Sequence, residues 1–244
     1  MFYINTIERG KMIVLAIAAH PDDIELICAG TLARFKQEGH EVVFCHVCDG
    51  SKGSLVYSSK ELVKIRRKEA IESAKLIGAK SIWGGMSDGE VVVDLDSRIK
   101  IIDILRQTNP DIVITHHPND YMSDHINLSR LVFEATYLAS LKLWKTDYPH
   151  IDKVPILYYM DTLAGINFNP LEYVDISKTI DIKVKMMLKM KSQLGWLKEM
   201  HNTNAEEFIK TVATFRGYQA GVSFAEAFSQ QQMYPFGLTK RVLP

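Results

Sequence analysis

Two short clusters in the chain combine residues that hold metal ions with residues that move protons. The first is Ala19-His20-Pro21-Asp22-Asp23. The second runs Thr115-His116-His117-Pro118-Asn119-Asp120-Tyr121-Met122-Ser123-Asp124-His125. An imidazole at His20 and a carboxylate at Asp23 suit a borderline ion such as zinc. Side chains of consecutive residues point in different directions, so Asp23 can ligate while Asp22 stays free beside the ion to take a proton from bound water. The same acids are also what caps a helix, and both readings stand for the pair taken alone. His125 adds a third ligand. Three protein ligands with a fourth place open is how catalytic zinc is held.

Both clusters need strands to position them. Met12 to Ala18 is short, aliphatic and uncharged, as is Ile112-Val113-Ile114, and each ends where a cluster begins. Past the first cluster, Leu26, Ala29, Leu32, Ala33 and Phe35 recur at helical spacing. Further strands are expected over 41–47, 81–83, 155–160 and 173–176. Helices are expected over 59–78, 96–107, 124–141, 182–199 and 205–215. Met186, Met187 and Met190 in the fourth of these read as core filler. Alternating strands and helices predict an α/β, Rossmann-like domain with a mostly parallel sheet, in which ligands gather at the carboxyl ends of the strands. No Gly-x-Gly-x-x-Gly or P-loop follows the first strand, which argues against a dinucleotide or ATP enzyme.

At these motifs the chain resembles the PIG-L/LmbE family of zinc-dependent N-acetylglucosaminyl deacetylases. The shared features are Ala-His-Pro-Asp-Asp followed by Glu25 and Gly30-Thr31-Leu32, and Asp124-His125 closing the second motif. Weaker agreement runs through Arg66 to Glu69, Asp88-Gly89, Ser192-Gln193, Arg216 to Val222 and Ala225-Glu226-Ala227-Phe228. The resemblance implies one Zn²⁺, or another divalent ion such as iron, on His20, Asp23 and His125. It also implies Asp22 as general base, Asp124 as a catalytic group that orients the site, and Arg66 as a substrate contact. The implied substrate is a small N-acetylated amino sugar or its conjugate. One departure stands out. The family's second motif usually reads His-Pro-Asp-His, and here Met122 replaces the histidine that stabilises the oxyanion or protonates the leaving amine. His116, ahead of His117, is the expected substitute. The alternative is a metal-holding carbohydrate-binding protein with weak or no catalysis.

The chain has 244 residues, 47% of them hydrophobic and 24% charged, with 29 basic and 29 acidic side chains. That balance provides no field for nucleic acid or an anionic membrane. Residues 12–244 read as one domain, working alone or as a homo-oligomer, behind an extension over 1–11. No stretch reaches transmembrane length and no signal sequence is evident, so a cytoplasmic protein is expected. Cys45 and Cys48 have Cys-x-x-Cys spacing but lie in a predicted strand, where residues three apart face opposite sides. With Cys28 they read as buried, reduced thiols.

Overall fold

Strands that are aliphatic at every position must be covered on both faces, and the chain meets that demand with one sheet between two helical layers. The computed structural model describes residues 10–233 and 242–244. Most of the extension expected over 1–11 therefore lies outside the described residues. The strands are β1 (Ile13–Ala18), β2 (Glu41–Cys48), β3 (Lys80–Met86), β4 (Ile112–Thr115), β5 (Ile156–Met160), β6 (Glu172–Asp175) and β7 (Ala225–Gln230). The helices are α1 (Asp23–Ile27), α2 (Ala29–Gln37), α3 (Ser59–Lys75), α4 (Leu95–Thr108), α5 (Ser123–Leu138), α6 (Ile180–Met187), α7 (Lys191–His201) and α8 (Ala205–Ala220).

The sheet order is β3-β2-β1-β4-β5-β7-β6. Strands β1 to β5 are parallel, and β7 runs antiparallel to both of its neighbours. Side chains alternate across the sheet. Val14, Ala16 and Ala18 pack with α1, α2, α6 and α8, while Leu15 and Ile17 pack with α4 and α5. The chain leaves β1 toward β2 and β3, then returns to lay β4 on the other side of β1. That reversal opens a crevice at the carboxyl ends of β1 and β4, where both clusters lie.

Several local expectations change. The helix after the first cluster breaks at Cys28 into α1 and α2, and the one expected over 182–199 breaks at 188–190 into α6 and α7. Met186, Met187 and Met190 are buried in the core. Strand β7 escaped the pattern because Glu226, a charged residue, is one of its buried side chains. Cys45 and Cys48 do not face opposite sides: the register slips between His46 and Cys48, and both pack in the same cluster as Val47. Cys28, Cys45 and Cys48 are nonetheless free and buried. No helix among the described residues is long and apolar enough to cross a membrane.

Glu226 ties the sheet edge to the helix behind the first cluster. Its carboxylate accepts from the backbone N–H of Gly30 (2.9 Å) and Thr31 (2.7 Å), and from Lys183 Nζ (2.5 Å). Gly30 must lack a side chain here, since a Cβ would sit 3.0 Å from Glu226 Oε1 and 2.9 Å from Ile176 Cγ2. Removing one partner from a buried ion pair leaves the other charge uncompensated, so Glu226→Ala is expected to cost about 3–5 kcal/mol in denaturant unfolding. Burial pushes the Cys45 thiol up to about 12 and raises Cys28 as well. Only the thiolate reacts, so a native sample should show almost no titratable thiol at pH 8 and all three after denaturation.

Candidate metal centre

His20 leaves the end of β1, and Pro21 carries the chain into a turn in which the N–H groups of Asp22 and Asp23 both donate to the His20 carbonyl (3.0 and 3.3 Å). Asp22 occupies the position before α1 but its side chain makes no capping bond, and its backbone takes φ 157°, ψ −23°. Few residues with a Cβ adopt that conformation, and such strain concentrates at functional sites. It leaves the Asp22 carboxylate facing a cavity and Arg66, whose Nη2 lies 3.3 Å away.

Three atoms from two strand ends converge. His20 Nδ1 lies 3.3 Å from His125 Nε2 and 3.4 Å from Asp23 Oδ2, and His125 Nε2 lies 3.3 Å from Asp23 Oδ2. Ligand atoms about 2.0–2.1 Å from one tetrahedral centre are about 3.3–3.4 Å apart, so this triangle fits a zinc-sized ion. The far nitrogens are also held. His20 Nε2 lies 3.2 Å from both Asp124 Oδ2 and Asp88 Oδ1, and His125 Nδ1 lies 3.0 Å from Asp120 Oδ2. A carboxylate behind each imidazole fixes the ring and raises its basicity, as in known zinc sites. Two other groupings are geometrically close, His116-Asp120-His125 and His20-Cys48-Asp124. In the first, the imidazoles of His116 and His125 stack at 3.7 Å and 15°, so their lone pairs cannot converge on one ion. In the second, Asp124 Oδ2 already accepts from the Gly89 N–H (2.7 Å) and from Cys48 Sγ (3.6 Å).

The electrostatics follow from burial. Burial alone would raise Asp23, but the His125 imidazole beside it holds it well below the usual carboxylate range. Burial pushes Asp22 up to about 6 against the pull of Arg66. His125 rises to about 9, because Asp23 and Asp120 outweigh the burial that disfavours its charge.

The remaining expected residues lie close by in different roles. Asp124 accepts from the backbone N–H groups of Gly89 (2.7 Å) and Val91 (3.2 Å) while touching His20. It therefore positions both a ligand and the loop after β3. Arg66, on the buried face of α3, donates to the carbonyls of Pro21 (2.8 Å) and Gly50 (3.3 Å), bracing the turn beneath Asp22 while one edge lines the cavity. His116 does not meet its expected role as donor to the reacting oxygen. It is fully buried behind Asp23, and its Nε2 accepts from the Ala19 N–H (2.9 Å). Burial and the neighbouring His125 lower it to about 4, so it is neutral. His117 packs edge-on between Tyr159 and Phe168. Met122 does line the cavity. Asp88 and Asp120 carry more of the site than their sequence context suggested. For Asp88 the signal was its place just past a strand's carboxyl end.

The PIG-L family model, described as GlcNAc-PI de-N-acetylase, matches residues 15–136. The chain belongs to the PIG-L family. Diacetylchitobiose deacetylase of Thermococcus kodakarensis is 27% identical over 240 residues, covering 92% of this chain and 85% of its own. The solved N,N'-diacetylchitobiose deacetylase from Pyrococcus horikoshii aligns with a TM-score of 0.80 at 27% identity, over 92% of this chain and 87% of that one. A PIG-L-like fold also serves other named chemistry. The 4-oxalmesaconate hydratase of Pseudomonas putida is 22% identical over 243 residues, covering 96% of this chain and 90% of its own, a likeness of fold.

If His116 braces Asp23 and His125 from behind, His116→Ala should lower both the melting temperature and metal content by elemental analysis. A residue acting only as a proton donor would leave metal content full.

Proposed function

We propose that this PIG-L protein is a zinc-dependent deacetylase that removes the N-acetyl group from an N-acetylglucosamine-type sugar or conjugate. The observation that carries the reading is the N–O–N triangle with edges of 3.3–3.4 Å, set beside the Asp22 carboxylate at the wall of a cavity. The deacetylases among its relatives support the substrate class. His20, Asp23 and His125 would hold the ion, which when bound polarises the amide carbonyl and acidifies a water.

Asp22 then accepts the proton as the water oxygen adds to the carbonyl carbon, and returns it to the nitrogen as the C–N bond breaks, leaving acetate and a free amine. Arg66 keeps Asp22 in place and ionised through its 3.3 Å contact. Asp88, Asp120 and Asp124 hold the imidazoles so that their ligand nitrogens stay aimed at one point. At Met122 the thioether offers no hydrogen-bond donor. The hydroxyl-bearing Tyr121 beside it lines the same cavity. Three buried free thiols fit a reducing, cytoplasmic setting.

Two measurements test the reading together. Asp22→Asn should lower kcat on N-acetylglucosamine derivatives by about two orders of magnitude or more with metal content unchanged. His20→Ala and His125→Ala should each lose the metal while circular dichroism remains native. A wild-type protein that is loaded with zinc yet turns over no acetylated sugar would favour a carbohydrate-binding protein instead.

A further inference from the structure

The cavity beside the metal triangle encloses about 560 Å³, within the range of roughly 300–1,000 Å³ that holds a drug-sized ligand. Its walls differ by origin. On one side they are polar: Asp22, Lys52, Arg66 and Asp88, together with His20 and Asp23. On the other side they are mainly apolar, with Gln193, His201 and Thr203 as the polar exceptions. Leu163 and Ile166 come from the loop after β5, Trp196 and Leu197 from α7, and Phe208 from α8. An acetamide at the triangle and sugar hydroxyls against the polar wall would leave the second wall bare.

That apolar wall is held rigidly. Arg216 on α8 forms a buried, two-bonded ion pair with Asp161, with Nε to Oδ2 at 2.6 Å and Nη2 to Oδ1 at 3.1 Å. The guanidinium occupies the space where a side chain at Gly165 would project, 2.6 Å from an ideal Cβ. Thr162 Oγ1 donates to the Ile166 carbonyl (2.5 Å), and the Gly165 N–H to the Thr162 carbonyl (3.0 Å). Within this loop Ala164 (φ 58°) and Asn167 (φ 57°) hold left-handed backbone that residues with a Cβ avoid. The outcome is an isoleucine, Ile166, that is 50% exposed and turned to the cavity. An exposed apolar surface inside a ligand cavity is stabilised when apolar surface covers it.

Building on the deacetylase reading, we propose that the substrate is an acylated amino sugar bearing an apolar substituent. That substituent, aryl or medium-length alkyl, seats against Leu163, Ile166, Trp196, Leu197 and Phe208. The same seat would take either an apolar aglycone or an extended N-acyl chain.

The test compares kcat/KM for N-acetylglucosamine, its phenyl and hexyl glycosides, and N-hexanoylglucosamine. In parallel, calorimetry follows binding of hexyl β-D-glucoside, which has no amide, to metal-stripped protein. Because each buried methylene is worth a few-fold, the better of the two alkyl substrates should exceed N-acetylglucosamine by about tenfold or more. A gain confined to the hexyl glycoside places the substituent on the aglycone, and a gain confined to the hexanoyl sugar places it on the acyl chain. Trp196→Ala and the solvent-facing Ile166→Ser should each shrink that ratio several-fold and weaken hexyl glucoside binding. Equal kcat/KM for all four compounds, with no glucoside binding, would overturn the apolar seat and leave the deacetylase reading intact. Glucoside binding that is lost in Trp196→Ala, with no turnover of any compound, would support the seat and overturn the deacetylase reading.

Discussion

Almost every feature of the site answers to one buried carboxylate. Asp23 is the first residue of α1 and is only 3% exposed. A charge taken out of water must be paired and hydrogen-bonded to be tolerated. Asp23 Oδ2 accepts from the His20 backbone N–H (2.7 Å) and lies 3.3 Å from the imidazole nitrogen of His125, with the His116 ring stacked behind His125. Satisfying it requires the loop after β1 and the loop after β4 to meet, which the sheet order allows because β1 and β4 are neighbours. The triangle of His20, Asp23 and His125 is a consequence of that meeting.

A ring of further carboxylates surrounds this centre, each on a different element. Asp120 precedes α5, Asp124 lies in its first turn, and Asp88 follows β3. So many acids in a small volume repel one another unless cations or hydrogen-bond donors stand between them. Here the imidazoles of His20 and His125 stand between, with backbone N–H groups supplying the rest.

The support is layered outward from there. Arg66 joins α3 to the turn at Pro21, Glu226 and Lys183 join β7 and α6 to the start of α2, and Arg216 joins α8 to the end of β5. Each link is a buried charge that spans elements far apart in sequence. Such links cost more to break than to replace as a pair, so they act as specifiers of arrangement as much as sources of stability. The result is a rigid polar end and a rigid apolar end to a single cavity.

Local chemistry was legible in the sequence wherever it depends on neighbours along the chain. The aliphatic runs before His20 and His116, the His-Pro-Asp-Asp turn and the helical repeat through Arg66 each carry their meaning within a few residues. Periodicity therefore marked most elements to within a few positions, and the motifs singled out His20, Asp23 and His125, which the fold brings together. What tertiary structure alone decided was which atom faces which. His116 and His117 are adjacent and chemically identical, yet one is buried against Asp23 and the other packs on Phe168. Nothing near Glu226 along the chain announces its partners, the N-terminus of α2 and Lys183, which folding brings to it. Cys45 and Cys48 share a cluster because the register slips against β3, a mismatch created by a partner strand about 35 residues away. Hydrogen-bond partners, burial and register are properties of pairs that folding brings together, and no spacing along one chain segment encodes them.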